Sequence, residues 1–235
     1  MNRNDLGAIA VQDYENDQKL LEFVKRLMND EELFKEYVAK PQWLKGNWRA
    51  GWALSLHTLS SVKLPEEGFR TQRPLIGEMV YQLKYRFHEL DGRTIATFVE
   101  ILGMIAGKFL KGRRIFRYLS AIIPVPPSKR RDLQLVEAVA QVLGRRTNLP
   151  IATDYLLKVK QTPALKSVDD PTSRREILSG AFEVKDLRFS GKAVLIFDDI
   201  YRSGETLTEI TRVLYEMGKV KAVYVLTLTK TRRKR

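Results

Sequence analysis

The chain has 235 residues, 44% of them hydrophobic, which is enough to bury the core of one large domain or of one domain with an extension, and excludes a disordered chain. Its 41 Lys and Arg against 28 Asp and Glu give a formal charge of +13, favouring polyanionic partners: phosphorylated metabolites, nucleic acid or an anionic surface. With no cysteine, disulfides and thiolate metal sites are excluded, and His57 and His88 lie too far apart for a local metal motif.

The first residues, Met1 to Tyr14, lack the basic start and apolar run of a signal peptide, so the chain reads as cytoplasmic. Leu20, Val24, Leu27 and Met28, then Leu33, Phe34, Tyr37 and Val38, predict a helical pair broken at Asn29-Asp30. Trp43, Trp48 and Trp52 follow in a Pro/Gly-punctuated segment that runs to Arg73-Pro74. They read as an aromatic cap packed on the main domain, with a base-stacking surface as the alternative. The expected division is a helical, Trp-rich extension over 1–72 and a main domain over 73–235 that ends in a basic tail.

Helix and strand patterns then alternate, predicting a parallel sheet covered on both faces. A helix is expected over Leu75 to Tyr85, and Phe98, Ile101, Leu102, Ile105 and Phe109 line one face of the next. The apolar window Ile95 to Phe109 carries Glu100 and Lys108 and is shorter than the ~20 residues of a membrane span, so no membrane partner is expected. Ala121 to Val125 reads as a strand stopped by Pro126-Pro127. Ser128-Lys129-Arg130-Arg131 leads into a helix with Val136, Val139, Ala140 and Leu143 inward, closed near Gly144, and Tyr155 to Val159 is a further strand. Gln161 to Gly180 reads as a mobile excursion with a short helix begun by Asp170-Pro171; Lys166, Arg174 and Arg175 are taken as solvent-facing. The last unit is a strand from Ala193 to Phe197, a loop from Asp198 to Thr206, a helix with Leu207, Ile210, Val213, Leu214 and Met217, and a strand from Val220 to Leu228. His57 and His88 show no partner in the sequence and are taken as structural.

Ligands of parallel α/β sheets bind at the carboxyl ends of the strands, where helix N-termini present N–H groups and partial positive charge. Two loops qualify. Asp198 to Thr206 places two carboxylates before a hydroxyl- and glycine-containing helix start. Pro126 to Arg131 offers three consecutive cations able to grip a phosphate or diphosphate. No G-x-x-x-x-G-K-[ST] or G-x-G-x-x-G turn is present, and too few residues follow Asp199 for a phosphoacceptor receiver domain.

Ala193 to Leu207 resembles the phosphoribosyl-diphosphate (PRPP) motif of type I phosphoribosyltransferases, with Asp198, Asp199, Ser203, Gly204 and Thr206 on its defining positions. The wider pattern is similar to the ComF group, competence-associated homologues of these enzymes. It rests on Gly77-Glu78, Leu83-Lys84-Tyr85-Arg86, Ile123-Pro124-Val125-Pro126 and Gly180-Ala181-Phe182, and runs from Arg73 to Lys230. The resemblance implies a type I phosphoribosyltransferase-like α/β fold, a parallel sheet flanked by helices. It implies that Asp198 and Asp199 are the catalytic pair on the ribose hydroxyls and that Tyr201, Arg202, Ser203, Gly204, Glu205 and Thr206 wrap the ribose phosphate. By the same resemblance Ser128, Lys129 and Arg130 meet the diphosphate, Mg²⁺ arrives with PRPP, and the 161–180 excursion closes over the site. The product would be a phosphoribosylated nitrogen acceptor, which the sequence does not name.

Two departures stand out. Glu205 occupies a position usually filled by a small residue, with Arg202 the expected offsetting charge, and the cysteine zinc module common in ComF relatives is missing. The alternative function is a catalytically silent PRPP- or nucleotide-sensing protein acting with nucleic acid through the basic surface and the Lys230 to Arg235 tail. Whether the chain forms a homo-oligomer is left open.

Overall fold

The computed structural model describes residues 17–38, 41–64, 68–129, 132–162 and 170–232. In chain order its elements begin with α1 (Asp17–Asn29), α2 (Glu31–Val38), β1 (Gln42–Trp43), β2 (Ala50–Leu56), β3 (Ser60–Leu64), β4 (Gly68–Gln72), α3 (Leu75–Tyr85) and α4 (Gly92–Lys111). They continue with β5 (Leu119–Pro124), α5 (Leu135–Thr147), β6 (Leu156–Lys158), α6 (Pro171–Leu178), β7 (Phe182–Val184), β8 (Ala193–Tyr201), α7 (Glu205–Glu216) and β9 (Ala222–Lys230).

Five strands form the central sheet in the order β1-β2-β9-β8-β5, parallel throughout except for the short edge strand β1. Such strands are buried on both faces, which is why Ala193 to Phe197 is an unbroken apolar run. Successive side chains alternate between two cores. Leu195, Phe197, Tyr224 and Leu226 pack against α1 to α5, whereas Val194, Ile196, Val223 and Val225 pack against α6, α7 and the β6–β7 hairpin. The fold is thus mixed α/β, a mostly parallel sheet flanked by helices, as the sequence led us to expect. Among the described residues no helix is long and apolar enough to cross a membrane.

Strands β1 to β4 and β7 were not expected, and three departures bear on how the sheet and its site are built. β2 was not predicted, because Gly51 and the surrounding tryptophans read as punctuation; its pairing with β9 makes it a sheet strand, and Trp52 is buried beneath Phe109 and Tyr224. A boundary between 72 and 73 therefore leaves two sheet strands, β1 and β2, on its N-terminal side. The Trp48 indole is also buried and donates to the Leu44 carbonyl, while Trp43 is exposed. Next, α5 runs past Gly144 to a left-handed cap at Asn148 (φ 58°). Gly144 serves close packing instead: a Cβ there would lie 2.7 Å from Ile151. Finally, β8 extends through Tyr201, so the acidic pair sits on the strand end rather than in the loop.

The predicted helix start at Asp170-Pro171 is present in α6, where the Asp170 carboxylate accepts from the Ser173 N–H. Residues 163–169 of that excursion, Lys166 among them, lie outside the described residues.

Candidate functional site: an acidic strand end beside a helix start

Pairing of β8 with β9 continues through Asp198↔Thr227 and Tyr201↔Lys230, which fixes the backbone carrying both acids. Asp198 Oδ1 accepts the Asp199 N–H at 2.8 Å, while Asp199 Oδ2 meets Lys84 Nζ, from the last turn of α3, at 2.5 Å. Burial, and then the neighbouring Asp199 charge, push the Asp198 carboxyl up to about 7, with Lys84 opposing them. A carboxyl so placed gains from any cation or hydrogen-bond donor that joins it.

α3 reaches this strand end because its first turn rests on the end of β2. A Cβ on Gly77 would come within 2.7 Å of the His57 carbonyl oxygen and 2.9 Å of that of Leu56, so only glycine permits the contact. His57 thereby joins the site. Its Nδ1 lies 3.3 Å from Thr229 Oγ1, which in turn donates to the Asp199 carbonyl. Burial, and then the charges of Arg73, Lys84 and Arg202, pull His57 down to about 4 and keep it neutral near pH 7. The expectation that His57 lacks a partner is corrected: its partners come from β9 and α3, distant in sequence. Of Lys84, Arg73 and His57, none was chosen as a site residue from the sequence. Lys84 alone left a trace there, inside the Leu83 to Arg86 mark.

The loop after β8 turns into α7 at Gly204, whose φ of 94° is left-handed and which offers no side-chain cap to the helix. The first-turn N–H groups of this 12-residue helix thus point outward with the positive end of its dipole. Tyr201 is buried; its hydroxyl donates to the carbonyls of Lys45 and Ser203, and its ring meets Trp48 edge-on, so it supports the loop from behind. Ser203 is exposed, its hydroxyl donating to Glu205, and Thr206 is half-buried. Arg202 does not offset Glu205, as the sequence suggested; it donates to the Tyr85 hydroxyl at 3.1 Å. The offsetting charge is Arg174 of α6, 3.5 Å from Glu205, so Arg174 is not a solvent-facing charge, whereas Arg175 is exposed.

The second loop leaves the sheet beside the acids: Pro124 pairs with Phe197, and the Val125 N–H donates to the Phe197 carbonyl. Ser128 and Lys129 are exposed at this edge, and Arg130 lies outside the described residues. Within the tail, Arg232 bonds back to the Leu59 carbonyl.

No group of three or more His, Cys, Asp or Glu among the described residues could hold a metal ion. Two carboxylates side by side are hard oxygen donors and suit a Mg²⁺ ion that keeps most of its water or shares substrate oxygens, not one caged by protein.

An acidic pair closing a central parallel strand, followed by a glycine turn into an uncapped helix, is the arrangement expected from the resemblance to type I phosphoribosyltransferases. Part of the chain is similar in sequence to a competence protein. Over 104 residues it is 31% identical to Competence protein F of Haemophilus influenzae, a match covering 42% of this chain and 45% of that protein. The matched segment is thus less than half the length of the curated relative. No protein-family model matches the chain. Among solved structures, Leishmania donovani UMP synthase overlaps 72% of this chain and 28% of its own at 15% identity and a TM-score of 0.36. A Staphylococcus aureus hypoxanthine phosphoribosyltransferase overlaps 58% and 68% at 18% identity and a TM-score of 0.35. Overlaps this loose do not bear on activity.

Proposed function

We propose that this chain binds PRPP with Mg²⁺ and transfers its phosphoribosyl group to a nitrogen acceptor, releasing diphosphate. The observation that carries the reading is the adjacency of Asp198 and Asp199 to the uncapped, glycine-started N-terminus of α7. In the proposed complex the ribose phosphate accepts from the first-turn N–H groups of α7 and from the Ser203 and Thr206 hydroxyls. The carboxylates of Asp198 and Asp199 accept from the two ribose hydroxyls. Lys84 holds Asp199 in place and limits the repulsion between the acids. Ser128 and Lys129, exposed in the loop after β5, would meet the departing diphosphate through charge-assisted hydrogen bonds.

Bound Mg²⁺ would supply charge neutralisation for the diphosphate. In the reaction a bond forms between the acceptor nitrogen and C1′, and the C1′–O bond breaks with its electron pair leaving on diphosphate. The acceptor nitrogen loses its proton to solvent. Fixed carboxylates beside C1′ would favour the positive charge that develops on the sugar. Diphosphate release from PRPP and Mg²⁺, screened across nucleobases, tests the reading; release with none of them, together with the absence of PRPP binding, would remove it.

A further inference from the structure

A cleft of about 580 Å³ opens between α2 and the C-terminal ends of α4 and α5, lined by none of the residues of the acidic strand end. Its volume falls in the range of small-molecule sites. Gly107 lies in its wall, and Gly103, one turn earlier in α4, faces α5 beside it. A Cβ at either would strike α5, at 2.4 Å from Val142 and 2.9 Å from Arg146, so glycine lets α5 lie close and brings Arg146 to the cleft edge.

The lining is amphipathic in a particular way. Met28, Phe34, Met104 and Phe109 contribute apolar surface, while Lys35, Lys108, Lys111, Arg113 and Arg146 contribute five cations against the single carboxylate of Glu31. Several of these cations have other reasons to be there. Lys108 donates to the Met28 carbonyl and pairs with Glu31, Lys35 pairs with Glu32, and Arg146 pairs with Glu100. Lys111 suits the negative end of the α4 dipole.

Arg113 has no such account. It lies beyond the helix, its guanidinium stacks on Phe109 at 4.2 Å, and its Nε is buried without a hydrogen-bond partner among the described residues. An orphaned, buried donor on a cation is costly unless an acceptor arrives. Its burial also pulls the guanidinium below its ordinary pKa, so an incoming anion would restore lost solvation.

We infer that this cleft is a second ligand site, independent of the acidic strand end, which takes a nucleotide-class ligand with its phosphate on Lys111 and Arg113 and its base on Met28 and Met104. The experiment is a calorimetric titration of the full chain with ATP, repeated with inorganic phosphate and with a single-stranded oligonucleotide. Lys111 is exposed, so Lys111→Glu leaves the packing intact; melting curves establish this for it and for Arg113→Gln. Both variants should weaken ATP binding about tenfold or more, and Ser203→Asp, which adds charge to the α7 loop, should leave it unchanged. Loss in Ser203→Asp but not in Lys111→Glu would place ATP at the acidic strand end and overturn the inference. So would absence of ATP binding at millimolar concentration, phosphate binding as tightly as ATP, or an oligonucleotide that binds through Lys111 where ATP does not.

Discussion

Arg174 of α6 lies 3.5 Å from Glu205 at the first position of α7, and both side chains are largely buried. The pair links the polar excursion before β7 to the loop proposed to hold phosphate. It also explains how a carboxylate is tolerated there. Glu205 sits at the positive end of the α7 dipole, accepts from Ser203 and is neutralised by Arg174, so its position is favourable without a ligand and competes with an incoming phosphate.

Glu205→Gln should therefore tighten PRPP binding by about 1 kcal/mol, roughly fivefold, and Arg174→Ala should weaken it by a similar factor, because the acid is left uncompensated. Calorimetry on both variants decides it. Weaker binding by Glu205→Gln would show that the glutamate contacts the ligand productively.

Asp198 makes stability depend on pH. Its carboxyl stays protonated in the folded chain up to about 7 but ionises near the ordinary 3.8 once unfolded, so the folded state binds more protons in between and loses stability as pH rises through that window. Asp198→Asn should be more stable than the parent at pH 8, with the gain shrinking to nothing by pH 4. Lys84→Met should do the reverse, costing most at pH 8. Thermal melts across pH 4 to 8 measure both; a gain for Asp198→Asn that is independent of pH would contradict the assignment.

His57 acts in the opposite sense. The unfolded chain takes up a proton below about 6.5, whereas the folded chain resists until about 4, so this contribution is present above 6.5 and is lost as pH falls toward 4. His57→Asn should flatten the acid limb of the stability profile between those values. Its imidazole resonances followed by NMR should titrate near 4, and a midpoint near 6.5 would place the ring outside the cluster of Arg73, Lys84 and Arg202.

Gly204→Ala should destabilise the chain by about 1–2 kcal/mol and weaken phosphate binding with it. The φ of 94° disfavours any side chain, and the new Cβ would approach the Tyr201 hydroxyl at 2.7 Å. Urea unfolding gives the first quantity and a PRPP titration the second. An unaffected titration would mean that the loop geometry is not what holds the anion.

What the sequence made legible was local. The acidic pair, the glycine turn and the apolar stripe of α7 all fall within 25 residues, from Ala193 to Met217, and each carries its reason in its own chemistry. β2 was not legible because its strand character comes from pairing with β9, far along the chain, while Gly51 and Trp52 locally suggest a turn. The same holds for Lys84, His57 and Arg174. Each is an ordinary surface residue type until α3, β2 and α6 carry it to the end of β8 or the start of α7. Gly144 misled for the converse reason: a glycine near a helix end reads as a stop, and here it answers the side chain of Ile151.

The central claim is that Asp198, Asp199 and the start of α7 form one PRPP site. It is tested most directly by calorimetric titration of the full chain with PRPP in Mg²⁺, alongside the Asp198→Asn/Asp199→Asn variant. The account predicts saturable binding that collapses in the double variant while its melting curve remains cooperative. No binding at millimolar PRPP, or equal binding by parent and variant, would contradict it.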